Sequence, residues 1–251
     1  MSVLLKLFYL ILLCLLVSSC HDATNNHDKN INLDTFSDLR DEMYSLDIVD
    51  IREHISKIAS EDGVALPMDG FVNKYYKEQQ PFLWINRYGI YDRADTLLSL
   101  LKGIDYYGLS KDAFRVSKIE KDLYLARSLD IESSNDNLNR ILARLEYNLT
   151  KAFLRYSAGQ YFGFVNPDYL YNSLEEYQVD SLTTRFRQLC DLKVLRPDKK
   201  FYFRAISHIL NDSVAEFWHT TLPKGRLVGK LLKELDNPNL TKSERLRILC
   251  N

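Results

Sequence analysis

One stretch governs what this chain can fold into. Between residues 137 and 161, Leu138, Ile141, Leu142, Leu145, Leu149, Ala152, Phe153 and Tyr156 recur at three- and four-residue spacing. That is the period of one helix face, and it is sustained for about seven turns. A helix of this length must bury its stripe against several other elements. The spacing therefore predicts the central helix of an all-α core, closed by Gly163.

Shorter stripes on either side supply its partners. Ser37 is a suitable N-cap, with Asp38 and Asp41 in the first turn, and is followed by Leu39, Met43, Leu46, Ile48, Val49, Ile51, Ile55 and Ile58. A loop with Gly63, Pro67 and Gly70 ends that helix, and the next runs over 71–79 until Pro81 stops it. Phe82-Leu83-Trp84-Ile85 is too short for a helix and reads as strand-like. Asp92 opens a helix through Ile104 with Gly108 as its C′ residue, a short turn covers 110–113, and another helix covers 117–129. Beyond the Asn166-Pro167 turn, Asp180 caps a helix through Leu182, Phe186, Leu189 and Leu192. Pro197-Asp198 opens one with Phe201, Phe203, Ile206, Ile209 and Leu210, and Ser213 caps one through Val214, Phe217 and Trp218. After Pro223 come Leu227, Val228, Leu231, Leu232 and Leu235, and Thr241 caps the last helix. No repeat of 20–50 residues is present. The expected fold is an irregular all-α scaffold with at most a small β element near Trp84.

The N-terminus carries a different message. Lys6 precedes an unbroken apolar run over 7–17, then Ser18-Ser19 and Cys20. Val17-Ser18-Ser19-Cys20 resembles the bacterial lipoprotein box, which implies cleavage before Cys20 and acylation of that cysteine. The run is too short for a confident transmembrane helix. Each buried methylene contributes about 0.8 kcal/mol, so several fatty chains hold a protein at a membrane where one holds it marginally. Residues 1–19 are thus expected to be a signal peptide. Residues 20–36, polar and rich in Asn and Asp, are expected to be a flexible tether. Residues 37–236 are the expected folded domain. The expected location is the cell envelope, lipid-anchored at Cys20, with the periplasmic face of the outer membrane ahead of the inner membrane.

The composition is that of an ordinary globular protein, with 27% charged and 46% hydrophobic residues and a formal net charge of −1, and nothing in it points to a nucleic-acid partner. Sixteen tyrosines suit a protein that presents amphipathic contact surface. Of four cysteines, Cys14 leaves with the signal and Cys20 takes lipid. Cys190 and Cys250 remain, either as a disulfide or as buried free thiols.

Catalytic signatures are sparse. There is no Gly-x-Ser-x-Gly, and no Ser-x-x-Lys with the boxes that accompany it in penicillin-binding enzymes. Ser207-His208 are neighbours, and neighbours on a helix point about 100° apart. Asp191 beside Cys190 opposes thiolate formation. His21, His27, His54, His208 and His219 are scattered without metal-ligand spacing, so no metal or cofactor is expected. Asp168, Glu175 and Glu176 lie in a Tyr-rich stretch, which leaves open a glycan hydrolase built on paired carboxylates.

Four ordered segments carry a family resemblance. They are Tyr75-Tyr76-Lys77-Glu78-Gln79-Gln80-Pro81-Phe82-Leu83-Trp84, then Leu97-Leu98-Ser99-Leu100-Leu101 with Tyr106-Tyr107-Gly108-Leu109, then Ala152-Phe153-Leu154-Arg155-Tyr156, and Gly163-Phe164-Val165-Asn166-Pro167. Together, and with Phe201-Tyr202-Phe203-Arg204 and Asp212-Ser213-Val214-Ala215-Glu216-Phe217, they resemble the helical scaffold domain that precedes the catalytic domain of large Gram-negative L,D-transpeptidases. The resemblance covers about 70–235. It implies an envelope protein of peptidoglycan cross-linking. That family's nucleophile is the cysteine of a Ser/Thr-His-Gly-Cys box, and this sequence has no His-Gly dipeptide. Residues 237–251 resemble the start of the helix leading toward the catalytic domain, so the chain is expected to be either a fragment of a longer enzyme or a stand-alone scaffold.

The resemblance thus implies a non-catalytic role in cell-wall biogenesis, by binding or positioning. Arg140, Arg144, Lys151 and Arg155 on the long helix form a candidate surface for acidic stem peptides. The alternative is a solvated face with salt-bridging partners such as Glu146. The rival partner class is another envelope protein, bound by a helical adaptor.

Overall fold

The long helix is the axis of the molecule. A computed structural model of the chain describes residues 46–86, 89–131, 136–165, 175–178, 184–187 and 195–250. Its helices are α1 (Ile48–Asp62), α2 (Pro67–Lys77), α3 (Arg93–Lys102), α4 (Val116–Ser128), α5 (Leu138–Phe162), α6 (Lys199–Leu210), α7 (Val214–Thr221), α8 (Val228–Leu235) and α9 (Lys242–Cys250). Two hairpins interrupt them: β1 (Ile85–Asn86) with β2 (Gly89–Ile90), and β3 (Glu175–Gln178) with β4 (Thr184–Arg187), both antiparallel. The all-α class holds, and the β element expected near Trp84 is present.

α5 starts where its cap dictates. The Asn137 side chain accepts the Arg140 N–H at 2.8 Å, which satisfies one of the orphan donors of the first turn. Helices α1, α2, α3, α4, α6 and α7 all pack on α5. Its apolar stripe is buried as expected, and so are Asn139, Glu146, Asn148, Thr150 and Lys151. A helix covered over most of its surface must pair most of its polar groups internally, and these pairings shape everything below.

Aromatic rings fill the space around it. Trp84 meets Phe153 edge-on with centroids 6.2 Å apart, and Tyr156 stacks on Trp218. Phe153 and Phe201 both reach Phe217 at 5.8 Å. This ties α5, α6 and α7 into one apolar layer.

Several sequence-based boundaries move. The Ser37 cap and the first residues of that helix lie outside the described residues. Asp47 is the observed cap, accepting from Val49 N–H at 2.7 Å, and Ile48 and Val49 are exposed rather than in the stripe. Pro67 and Gly70 are not loop residues. Pro67 opens α2, where a missing N–H costs nothing, and the Asp69 carboxylate reaches back to accept the Leu66 N–H at 3.0 Å. The helix expected from Asp180 through Leu192 is replaced at 184–187 by strand β4, so the β content is not confined to the vicinity of Trp84. In α6 the buried side is Phe201, Tyr202, Ala205, Ile206 and Ile209, and Phe203 and Leu210 face outward.

Gly108 ends the turn after α3 in the left-handed region, with φ 71°, as a C′ glycine should. A Cβ there would also come within 2.9 Å of Leu235, so this position is what lets α8 dock. Among the described residues no helix is long and apolar enough to cross a membrane.

Candidate functional site

Three features of α5 and its surroundings stand out, beginning with a buried ionic cluster. Lys151 is 3% exposed, and its Nζ lies 2.5 Å from Asp62 and 3.5 Å from Asp69. Arg155 donates from Nε and NH2 to Asp69, both at 2.8 Å, and Arg115 pairs with Asp62 and donates to Asn148 at 2.9 Å. Burial alone would raise the Asp62 carboxyl, but hydrogen bonds from Arg115 and Lys151 bring it down to about 2. Asp69 is likewise lowered, its burial being outweighed by Arg155 and Lys151. Three cations thus face two carboxylates. Arg115 sits in the left-handed region at φ 57°, an unusual conformation for a side chain of this size, held there between η-turn 112–114 and α4.

The second feature is a lone carboxylate. Glu146 is fully buried, and it accepts the N–H groups of Leu83 at 2.5 Å and Trp84 at 2.8 Å and the Tyr76 hydroxyl at 2.9 Å. Thr150 takes the Trp84 indole N–H at 2.9 Å. From the opposite side, Arg93 donates to the Leu83 carbonyl at 2.7 Å and to Asp212 at 2.9 Å. The backbone of the Leu83-Trp84 segment is therefore gripped through both its donors and an acceptor. Burial pushes the Glu146 carboxyl up to about 7, against the pull of the two N–H groups and the Tyr76 hydroxyl.

The third feature is a groove of about 610 Å³ at the C-terminal end of α5. Leu66, Leu109, Phe114, Phe162, Phe164 and Leu249 supply its apolar walls, and Arg155 and Arg196 are the charged residues among its lining. Phe164 packs against Gly159 of α5, where a Cβ would fall 2.1 Å from the ring. The volume lies within the range of about 300–1,000 Å³ typical of ligand sites.

The structure redistributes the four cations expected to form one exposed surface. Arg140 is half-exposed and lies 3.6 Å from Asp136. Arg144 is bound by Asp122, at 2.6 Å, and by Asp136. Lys151 and Arg155 turn inward into the Asp62–Asp69 cluster, so the four do not share one open face. Glu146 is not their surface partner either, since it lies in the core. The acids that pair with Lys151 and Arg155, Asp62 and Asp69, come from α1 and α2, and nothing in the sequence spacing points to them.

Cys20, Cys190 and Asp168 lie outside the described residues, as do the side chains of Glu175, Glu176 and Cys250, although Glu175 and Glu176 belong to β3. His208 is separated from its neighbour Ser207 and instead contacts Ser213 Oγ at 2.8 Å through Nδ1. Among the described residues no group of three His, Cys, Asp or Glu side chains is placed to hold a metal ion.

The family model for the scaffold domain matches residues 70–225. The chain belongs to the scaffold-domain family. The matched span of this scaffold domain runs from α2 to α7 and so includes the Glu146 node, the Arg155 side of the ionic cluster and most of the groove. No curated protein and no solved structure matches the chain significantly.

Proposed function

We propose that this chain is the scaffold portion of an L,D-transpeptidase-like lipoprotein. It is anchored through acylated Cys20 at a periplasm-facing membrane surface, the outer membrane ahead of the inner. It serves cell-wall biogenesis by binding peptidoglycan or positioning a partner, without supplying a nucleophile. The scaffold-domain match over 70–225 carries this reading, because it spans the four ordered segments that resemble the transpeptidase scaffold.

The packing is consistent with a positioning role. A body that holds something else in place must resist deformation, and here the segments before α5 are fixed to it by charge-assisted hydrogen bonds while α6 and α7 after it pack on it through aromatic rings. Within the 251 residues no His-Gly dipeptide is present to supply the transpeptidase nucleophile box. Co-sedimentation of the purified full chain with isolated sacculi tests the proposal. Recovery in the pellet supports peptidoglycan contact.

A second reading, a helical adaptor for another envelope protein, is favoured by Phe203, which is 63% exposed beside Phe71 and Tyr202, and by Leu195 at 61% on the groove rim. Recovery of the chain only in the supernatant, together with a specific protein cross-linked to this side in envelopes, replaces the peptidoglycan reading with this one.

A further inference from the structure

We propose that the groove at the end of α5 binds a short apolar peptide segment bearing a free carboxylate, with the carboxylate seated between Arg155 and Arg196. This assigns a place and a ligand chemistry that the scaffold role does not require, and it stands whether or not the ligand belongs to the cell wall.

Charge is the first reason. Among the described residues the groove is lined by aliphatic, aromatic and small side chains, and the charges these residues present to it are two guanidinium groups. Asp69 absorbs part of the Arg155 charge from behind but does not line the groove. Behind Arg155, Lys151 and Arg115 balance Asp62 and Asp69, both held ionised, so the excess positive charge of the cluster is that of Arg155 itself, on the side of the groove. Arg155 NH1 points to the Ala113 carbonyl at 3.3 Å, a long contact on the edge facing η-turn 112–114, which also lines the groove. Arg196 is exposed at the rim. A planar carboxylate is the group that matches guanidinium geometry.

The walls decide between a peptide and an acyl chain. Leu66, Leu109, Phe114, Phe162 and Phe164 offer apolar contact. Among them stand the Ser110 side chain and the peptide groups of Gly108 and Gly163, whose N–H groups are already paired with the Asp105 and Gly159 carbonyls, which leaves the Ser110 hydroxyl and the glycine carbonyls to meet a ligand. An acyl chain covers such groups without pairing them, at a desolvation cost, whereas a peptide backbone supplies donors and acceptors.

Calorimetric titration of the full chain in detergent tests this with N-acetyl-Leu-Ala-Leu, its C-terminal carboxamide, and decanoate. The free acid binds, and the carboxamide binds about tenfold more weakly or worse, as expected for loss of a charge-assisted contact. Arg196→Glu, a change on an exposed residue outside the core, lowers affinity for the acid by a similar factor without changing the unfolding temperature. Equal binding of acid and amide, no binding of either, tighter binding of decanoate than of the peptide, or an unaffected Arg196→Glu variant each overturns the proposal.

Discussion

Glu146 and Trp84 are joined by a buried hydrogen bond of 2.8 Å from the tryptophan backbone N–H to the carboxylate, across 62 residues of sequence. Together with the Leu83 contact it fastens the β1–β2 hairpin segment to the central helix. The indole ring then closes over Phe153, and its N–H is taken by Thr150 one turn further along α5.

This fastening has a pH signature. The Glu146 carboxyl titrates near 7 in the folded chain against an ordinary value of 4.5. Between those values the unfolded chain is ionised while the folded one keeps its proton, so stability falls as pH rises through this window. The loss is complete above about 7 and amounts to about 3 kcal/mol. Glu146→Gln cannot ionise. Urea unfolding from pH 5 to 8 is expected to show the wild-type chain losing this amount relative to Glu146→Gln. Parallel curves would show that the carboxylate does not titrate as described.

The acid limb has the opposite sign. Asp62 is held down to about 2, so its contribution is present above its ordinary 3.8 and disappears as pH falls from there through about 2. Asp62→Asn is expected to lower stability at pH 5 while flattening the decline below pH 4. A decline of unchanged steepness in acid-titration circular dichroism counts against the Asp62–Lys151–Arg115 arrangement.

Within the ionic cluster the two changes differ in cost. Lys151→Met leaves Asp62 with Arg115 and Asp69 with Arg155. Asp69→Ala strips Arg155 of its bidentate partner and removes the acceptor for the Ala65 and Leu66 N–H groups at the start of α2. Removal of one member of a buried pair costs about 3–5 kcal/mol, so Asp69→Ala should fall in that range and Lys151→Met below it. Denaturant midpoints in the reverse order would contradict the pairing.

Gly159→Ala should raise helix propensity by about 1 kcal/mol in isolation. Here the added methyl meets the Phe164 ring and displaces it from Phe114 and Tyr156. A net loss of about 1–3 kcal/mol is expected, with a change in the fluorescence of Trp218, which stacks on Tyr156. A stabilised variant with unaltered emission would refute the close approach.

Much of this architecture was legible because its signals are local. The α5 stripe and the Gly163 end are written within 26 consecutive residues, 138–163, and the observed helix ends within one residue of the expected bounds. The strand-like character at Trp84 followed from an apolar run too short for a helix. The inward turn of Lys151 and Arg155 was not legible, because their partners Asp62 and Asp69 lie 89 and 86 residues away on helices that cover this face only after folding. Glu146 read as a surface acid for the same reason, its partners being backbone N–H groups, which leave no trace in side-chain spacing. At 184–187 the helical spacing of Leu182, Phe186 and Leu189 competed with pairing to β3, and the pairing prevailed.

On the proposed function, this scaffold domain offers shape and contact without supplying an attacking group. The most direct test of this is incubation of the purified full chain with disaccharide-tetrapeptide muropeptides, followed by mass spectrometry. Unchanged monomers are the expected result. Dimers joined between two diaminopimelate residues, formed by the chain alone, would contradict it.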